Sequence, residues 1–153
     1  MSELSKLDEL YIHAENNGIG VFNRHFSKTK KGACLCSDDF NNVLLDMSKI
    51  ENKAEETLVL GEELGHIEKG ELYRLTSHLP ISRINKWKCE YRAKKWRAEK
   101  LLPADELQEA IYKCSDMYEL SVELEFPIEF IEEALEIYKR NGIEFEFPGR
   151  DES

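Results

Sequence analysis

A chain of 153 residues with 41% hydrophobic and 34% charged side chains can bury one core, and its composition is that of a globular rather than a disordered or membrane protein. A formal net charge of −10 makes the surface as a whole unattractive to nucleic acid, so direct nucleic-acid binding is not expected. No apolar run approaches the roughly 20 residues of a membrane span, and Met1 to Lys6 lacks the basic-then-apolar pattern of a signal peptide, which points to a cytoplasmic protein with reduced thiols. Cys34 and Cys36 are spaced C-x-C, Cys89 and Cys114 stand alone, and no C-x-x-C pair occurs. The cysteines therefore read as small apolar residues rather than as metal ligands.

A first helix is expected from Leu4 to about Asn17, with Leu4, Leu7, Leu10 or Tyr11, and Ala14 on one side and Gly18 as its stop. Three short strands follow, Ile19–Phe22, Ala33–Cys36 and Val43–Leu45, separated by turn residues, and a small antiparallel sheet is the natural inference. Ser48-Lys49-Ile50-Glu51 has the capping-box form and announces a second helix running to about His66 or Lys69, with Ala54, Leu58 and Gly61 or Leu64 on its apolar side. Leu72 to Ser82 reads as a loop or short strand. A third helix covers about Arg83 to Leu102 and is ended by Pro103. It is basic, with eight Lys and Arg between Arg83 and Lys100 against Glu90 and Glu99, and a solvated face balanced by acidic neighbours suits it better than a nucleic-acid surface. Shorter helices are expected at Ala104–Cys114, Met117–Leu124 and Pro127–Asn141, then an edge strand or apolar tail at Ile143–Phe147.

The second helix carries Glu62-Glu63-Leu64-Gly65-His66, the zincin motif H-E-x-x-H with glutamate for its first histidine. Residues i and i+4 share a helix face, so Glu62 and His66 can grip one ion, while Glu63 lies beside them where a general base would deprotonate a water. Gly61 and Gly65 bracket the acidic pair and suggest close packing by another backbone or a substrate. A catalytic zinc wants a third protein ligand. The downstream candidates are Glu68, Glu71, His78, Glu90 and Glu99. Glu68 lies on the wrong side of the helix, and His78 misses the metzincin spacing. Glu90, on the next predicted helix, stands where thermolysin-like sites take their carboxylate. From spacing alone, an acidic pair on a solvated face with a histidine near the helix end is the more ordinary reading. His13 and His25 read as surface or capping groups, and Trp96 as a packing residue.

Glu62 to His66, followed by Glu90-Tyr91-Arg92-Ala93-Lys94-Lys95-Trp96-Arg97 and the Leu101-Leu102-Pro103 stretch, resembles the ImmA/IrrE family of metallo-endopeptidases. The family pattern is H-E-x-G-H, then E-x-x-A-x-x-F/W-A ending in a Leu-Leu-Pro-like stretch. Ala93 stands at its first alanine, Trp96 at its aromatic and Arg97 at its second alanine. The segments Asn42–Asp46 and Tyr118–Leu135, the latter helix-turn-helix-like, are similar as well, so the resemblance runs from about Gly18 to Gly142. It implies an α+β, zincin-like domain spanning 1–153, with the small sheet and packed metal-binding helix in about 1–82 and a helical part in about 83–153.

By this resemblance the protein is a phage or mobile-element peptidase that cleaves a helix-turn-helix transcriptional repressor. Glu62, His66 and Glu90 would be the ligands of Zn2+, and Glu63 the general base. Two glutamate ligands neutralise a divalent ion completely, which predicts slower hydrolysis and a drift of preference toward Mn2+. The rival expectation is a catalytically weak or inactive member that grips the repressor without cutting it, as an antirepressor or immunity module.

Overall fold

In the computed structural model, which describes residues 4–37, 39–69 and 83–148, Ser5 opens the first helix. Its hydroxyl accepts from the Asp8 N–H at 3.0 Å and the Asp8 carboxylate accepts from the Ser5 N–H at 3.3 Å, a closed capping box. Helix α1 spans Lys6–Asn16 and buries Leu7, Leu10 and Ala14, while Leu4 stays exposed. Gly18 then turns the chain at a φ of +67°, a conformation glycine adopts without steric cost.

The architecture is α+β. Strands β1 (Gly20–Asn23), β2 (Gly32–Cys36) and β3 (Asn41–Leu45) form one sheet in the order β1-β3-β2. β2 and β3 pair antiparallel with Cys34 opposite Val43, whereas β1 and β3 run parallel with Val21 opposite Val43. The sheet is therefore mixed, not antiparallel as expected. A tight turn after β1 would have forced pairing with β2. The longer connection 24–31 instead leaves room for one strand between them, and β3 fills it, with Val43 and Leu45 fully buried at the centre.

Asp46, at the end of this central strand, fixes that connection. Its buried Oδ2 accepts from the Phe26 N–H at 2.9 Å and lies 3.4 Å from Lys49 Nζ and 3.2 Å from His25 Nδ1. Its Oδ1 accepts from the N–H and hydroxyl of Ser48. Lys49 Nζ in turn donates to the Phe26 carbonyl at 2.6 Å. Ser48 is thus committed to Asp46 rather than to a helix start. The second helix, α2, spans Lys53–Lys69, and its cap is Asn52, whose Oδ1 accepts from the Glu55 N–H at 2.8 Å. α2 buries Thr57, Leu60, Gly61, Leu64, Gly65 and His66, and packs on α1, β2 and β3. Of the positions expected on the apolar side, Gly61 and Leu64 are buried, while Ala54 and Leu58 are only half-buried.

Helix α3 spans Arg83–Leu101. The expected loop or strand at Leu72–Ser82 lies outside the described residues. The chain divides into two compact units, residues 1–97 and 98–153, with the division inside α3. The second unit contains α4 (Ala104–Lys113), α5 (Met117–Leu124) and α6 (Ile128–Arg140). Asp116 caps α5 by accepting from the Glu119 N–H at 2.8 Å. In the core of this unit the Tyr138 hydroxyl donates to the Leu102 carbonyl at 2.8 Å. The segment after α6 forms no strand. The Gln108 amide takes the place of a neighbouring strand, donating to the Glu146 carbonyl and accepting from the Glu146 N–H, both at 2.9 Å. Among the described residues no helix is long and apolar enough to cross a membrane.

The Ser48 hydroxyl and the Phe26 N–H, with Lys49, hold the Asp46 carboxyl well below the usual carboxylate range against the opposing effect of burial. The unfolded chain, with an ordinary aspartate pKa of about 3.9, takes up this proton first on acidification. The contribution of Asp46 is then complete at neutral pH and declines as pH falls through and below that value. Asp46→Asn is expected to lower the melting temperature at pH 7, and the gap to the parent protein to narrow below about pH 4. Thermal unfolding followed by circular dichroism across pH measures this, and a gap independent of pH would count against the account.

Candidate metal centre

Two helices supply the centre, and a glycine lets them meet. A Cβ on Gly65 of α2 would overlap the Ala93 carbonyl oxygen and lie 3.0 Å from the Ala93 Cα on α3. Of the two possibilities that the bracketing glycines raised, Gly65 answers to the first, another backbone. This crossing brings Glu90 of α3 to His66 of α2, with Glu90 Oε2 3.4 Å from His66 Nε2. One ligand atom from each of Glu62, His66 and Glu90 lies within 4.8 Å of the other two, a grouping able to hold a metal ion. Donors bound tetrahedrally at about 2.1 Å stand about 3.4 Å apart, so the His66–Glu90 spacing already fits and Glu62 needs only a small side-chain adjustment. One nitrogen and two carboxylate oxygens suit a divalent ion.

Glu63 joins His66 and Glu90 in lining a cleft of about 210 Å³, whose other walls are Lys30, Gly32, Ala33 and Cys34. Among the described residues β2 is an edge strand of the sheet, and its first three residues form that wall. Gly32 lies against α2 so closely that a Cβ there would come within 2.7 Å of Val59 and 3.3 Å of Glu63. Burial, then the charge of Glu62 and less strongly that of Glu90, push the Glu63 carboxyl up to about 7, while Lys30 and the Cys34 thiol act in the other direction. The Cys34 thiol is itself held well above its usual range by its hydrogen bond to Cys36, by burial and by Glu63. It therefore stays protonated, as a neutral donor next to Glu63.

The remaining candidates separate cleanly. The Glu68 carboxylate accepts from His13 Nε2 at 2.9 Å, and the His13 ring lies 5.2 Å from that of Trp96. α1, α2 and α3 are thereby tied by one cluster, and Glu68 is not a ligand. Glu99 is exposed, and Glu71 and His78 lie outside the described residues. Sequence reasoning missed Cys34 and Lys30, which line the cleft, and the position of Arg97. The Arg97 guanidinium is buried, with Nη1 donating to the Leu58 carbonyl at 3.0 Å and standing 3.6 Å from Glu62 Oε2. The one available signal for Cys34 was strand alternation, which puts Gly32, Cys34 and Cys36 on the same side of β2.

Comparison of the chain with protein-family models, with curated proteins and with solved structures finds no match.

Gly65→Ala tests the crossing. Alanine improves helix propensity by about 1 kcal/mol, but overpacking against a backbone costs more, and a net loss of about 1–2 kcal/mol in unfolding free energy is expected. Urea denaturation measures it. A neutral or stabilising substitution would mean that α2 and α3 are not in contact at this position.

Proposed function

We propose that the protein is a zincin-like, metal-dependent endopeptidase whose substrate is a helix-turn-helix transcriptional repressor. The observation that carries this is the convergence of Glu62, His66 and Glu90 at one point, beside a cleft that also contains Glu63 and an edge strand. The substrate class rests on the resemblance of the motif and the following helix to ImmA/IrrE peptidases. Zinc is the favoured ion by that resemblance, and manganese the alternative favoured by two carboxylate donors.

Glu62, His66 and Glu90 would hold the ion, which when bound supplies Lewis-acid polarisation of a peptide carbonyl and acidifies a neighbouring water. Glu63 would take the proton from the attacking water and return it to the leaving amine. Its burial beside Lys30 and Cys34 fixes it in the cleft for that transfer. The outer edge of β2, which pairs with β3 alone among the strands of the described residues, would receive the substrate as an extended segment, main chain to main chain.

A second reading, a module that grips the repressor without cutting it, is favoured by the approach of Arg97 to Glu62, which engages the first of the three candidate ligands.

The purified protein is expected to carry one equivalent of zinc or manganese by elemental analysis, and His66→Ala and Glu90→Ala to lose it. Absence of metal from the folded protein would sink the peptidase reading. Glu63→Gln is expected to keep the metal and lower cleavage of a co-expressed helix-turn-helix repressor by about 100-fold or more. Undiminished cleavage would remove Glu63 as the base. Repressor binding by a wild-type protein that never cuts would select the second reading.

A further inference from the structure

The buried arginine beside the metal group has no part in the mechanism above. Arg97 lies two helical turns beyond Glu90 on α3. It reaches across to α2, where Nη1 donates to the Leu58 carbonyl at 3.0 Å and lies 3.6 Å from Glu62 Oε2. Leu58 is one turn before Glu62, so the carbonyl that Arg97 engages belongs to the turn from which Glu62 projects. A buried guanidinium fixed in this way is a rigid positive charge held against one particular carboxylate.

Three carboxylates, Glu62, Glu63 and Glu90, crowd one end of the helix pair. Without a cation among them, two glutamate ligands would cancel the charge of a divalent ion and could each present both oxygens to it. Such a set favours manganese, which prefers many oxygen donors. Arg97 opposes both effects. It shares the charge of Glu62, and its 3.6 Å ion pair draws on Oε2, so that Glu62 would present one oxygen to the ion rather than two.

We propose that Arg97 is a positioning residue that sets the metal preference of the Glu62–His66–Glu90 group, holding Glu62 to a single-oxygen, partly neutralised ligand and so favouring zinc over manganese. This inference rests on the metal-peptidase reading and adds to it the role of a residue outside the ligand set.

The test is competitive titration of the metal-stripped full-length protein with zinc and manganese, giving the ratio of their dissociation constants. Arg97→Met, similar in length and without charge, is expected to reduce the zinc-over-manganese preference by about tenfold, at the lower end of effects typical of groups supporting a ligand. Should that variant fail to fold, Arg97→Lys keeps a charge but loses the planar fork, and is expected to shift the ratio in the same direction by about threefold. A ratio unchanged in a folded, metal-binding variant would overturn the role of Arg97 alone and leave it a tie between α2 and α3. A folded wild-type protein that binds neither ion would overturn the peptidase reading, and this proposal with it.

Discussion

The close approach of α2 and α3 at Gly65 and Ala93 is the contact from which the centre follows. Glu62 and His66 come as a pair from any helix, because four residues make about one turn. The third candidate ligand does not, since it must arrive from another element at the right depth. With any side chain larger than hydrogen at position 65, the two backbones would stand further apart. Glu90 would then retreat from its 3.4 Å separation to His66. The polar contact between Arg97 and Leu58 spans the same pair of helices one level away, so the crossing is fixed at more than one point.

Electrostatics around the centre is a balance rather than a simple concentration of acid. Three glutamates stand together, yet Lys30 faces Glu63 across the cleft and Arg97 approaches Glu62 from the other helix. Glu90 lies 3.4 Å from His66. In a chain with ten more acidic than basic charges, this local pairing is not a consequence of composition. Arg97 is placed by the helix crossing, and Lys30 by the connection 24–31, which the buried carboxylate of Asp46 holds next to the central strand.

What could be read from the sequence was whatever depended on neighbours along the chain. The termini of α5 and the course of α3, α4 and α6 follow from caps, prolines and apolar spacing, and all are local signals. The spacing of Glu62 and His66 is local too. Strand pairing was not legible, since β1 chose β3 over its sequence neighbour only because a longer connection left a gap to be filled. Ser48 has the right residues around it for a helix cap, but a buried carboxylate two positions earlier competes for its hydroxyl and wins. Arg97 was visible in the sequence only as a basic residue on α3. That it approaches Glu62 depends on how two helices cross.

The edge position of β2 among the described residues has a consequence for what the cleft would accept under the proposed function. Hydrogen bonding along a strand edge is blind to side-chain identity, but it demands a segment whose own N–H and C=O groups are unoccupied. A partner's helix offers none until it opens. A segment that opens at a cost of about 2 kcal/mol is available about 3% of the time. Entry along β2 would therefore rank partner segments by how readily they unfold locally before it ranked them by sequence.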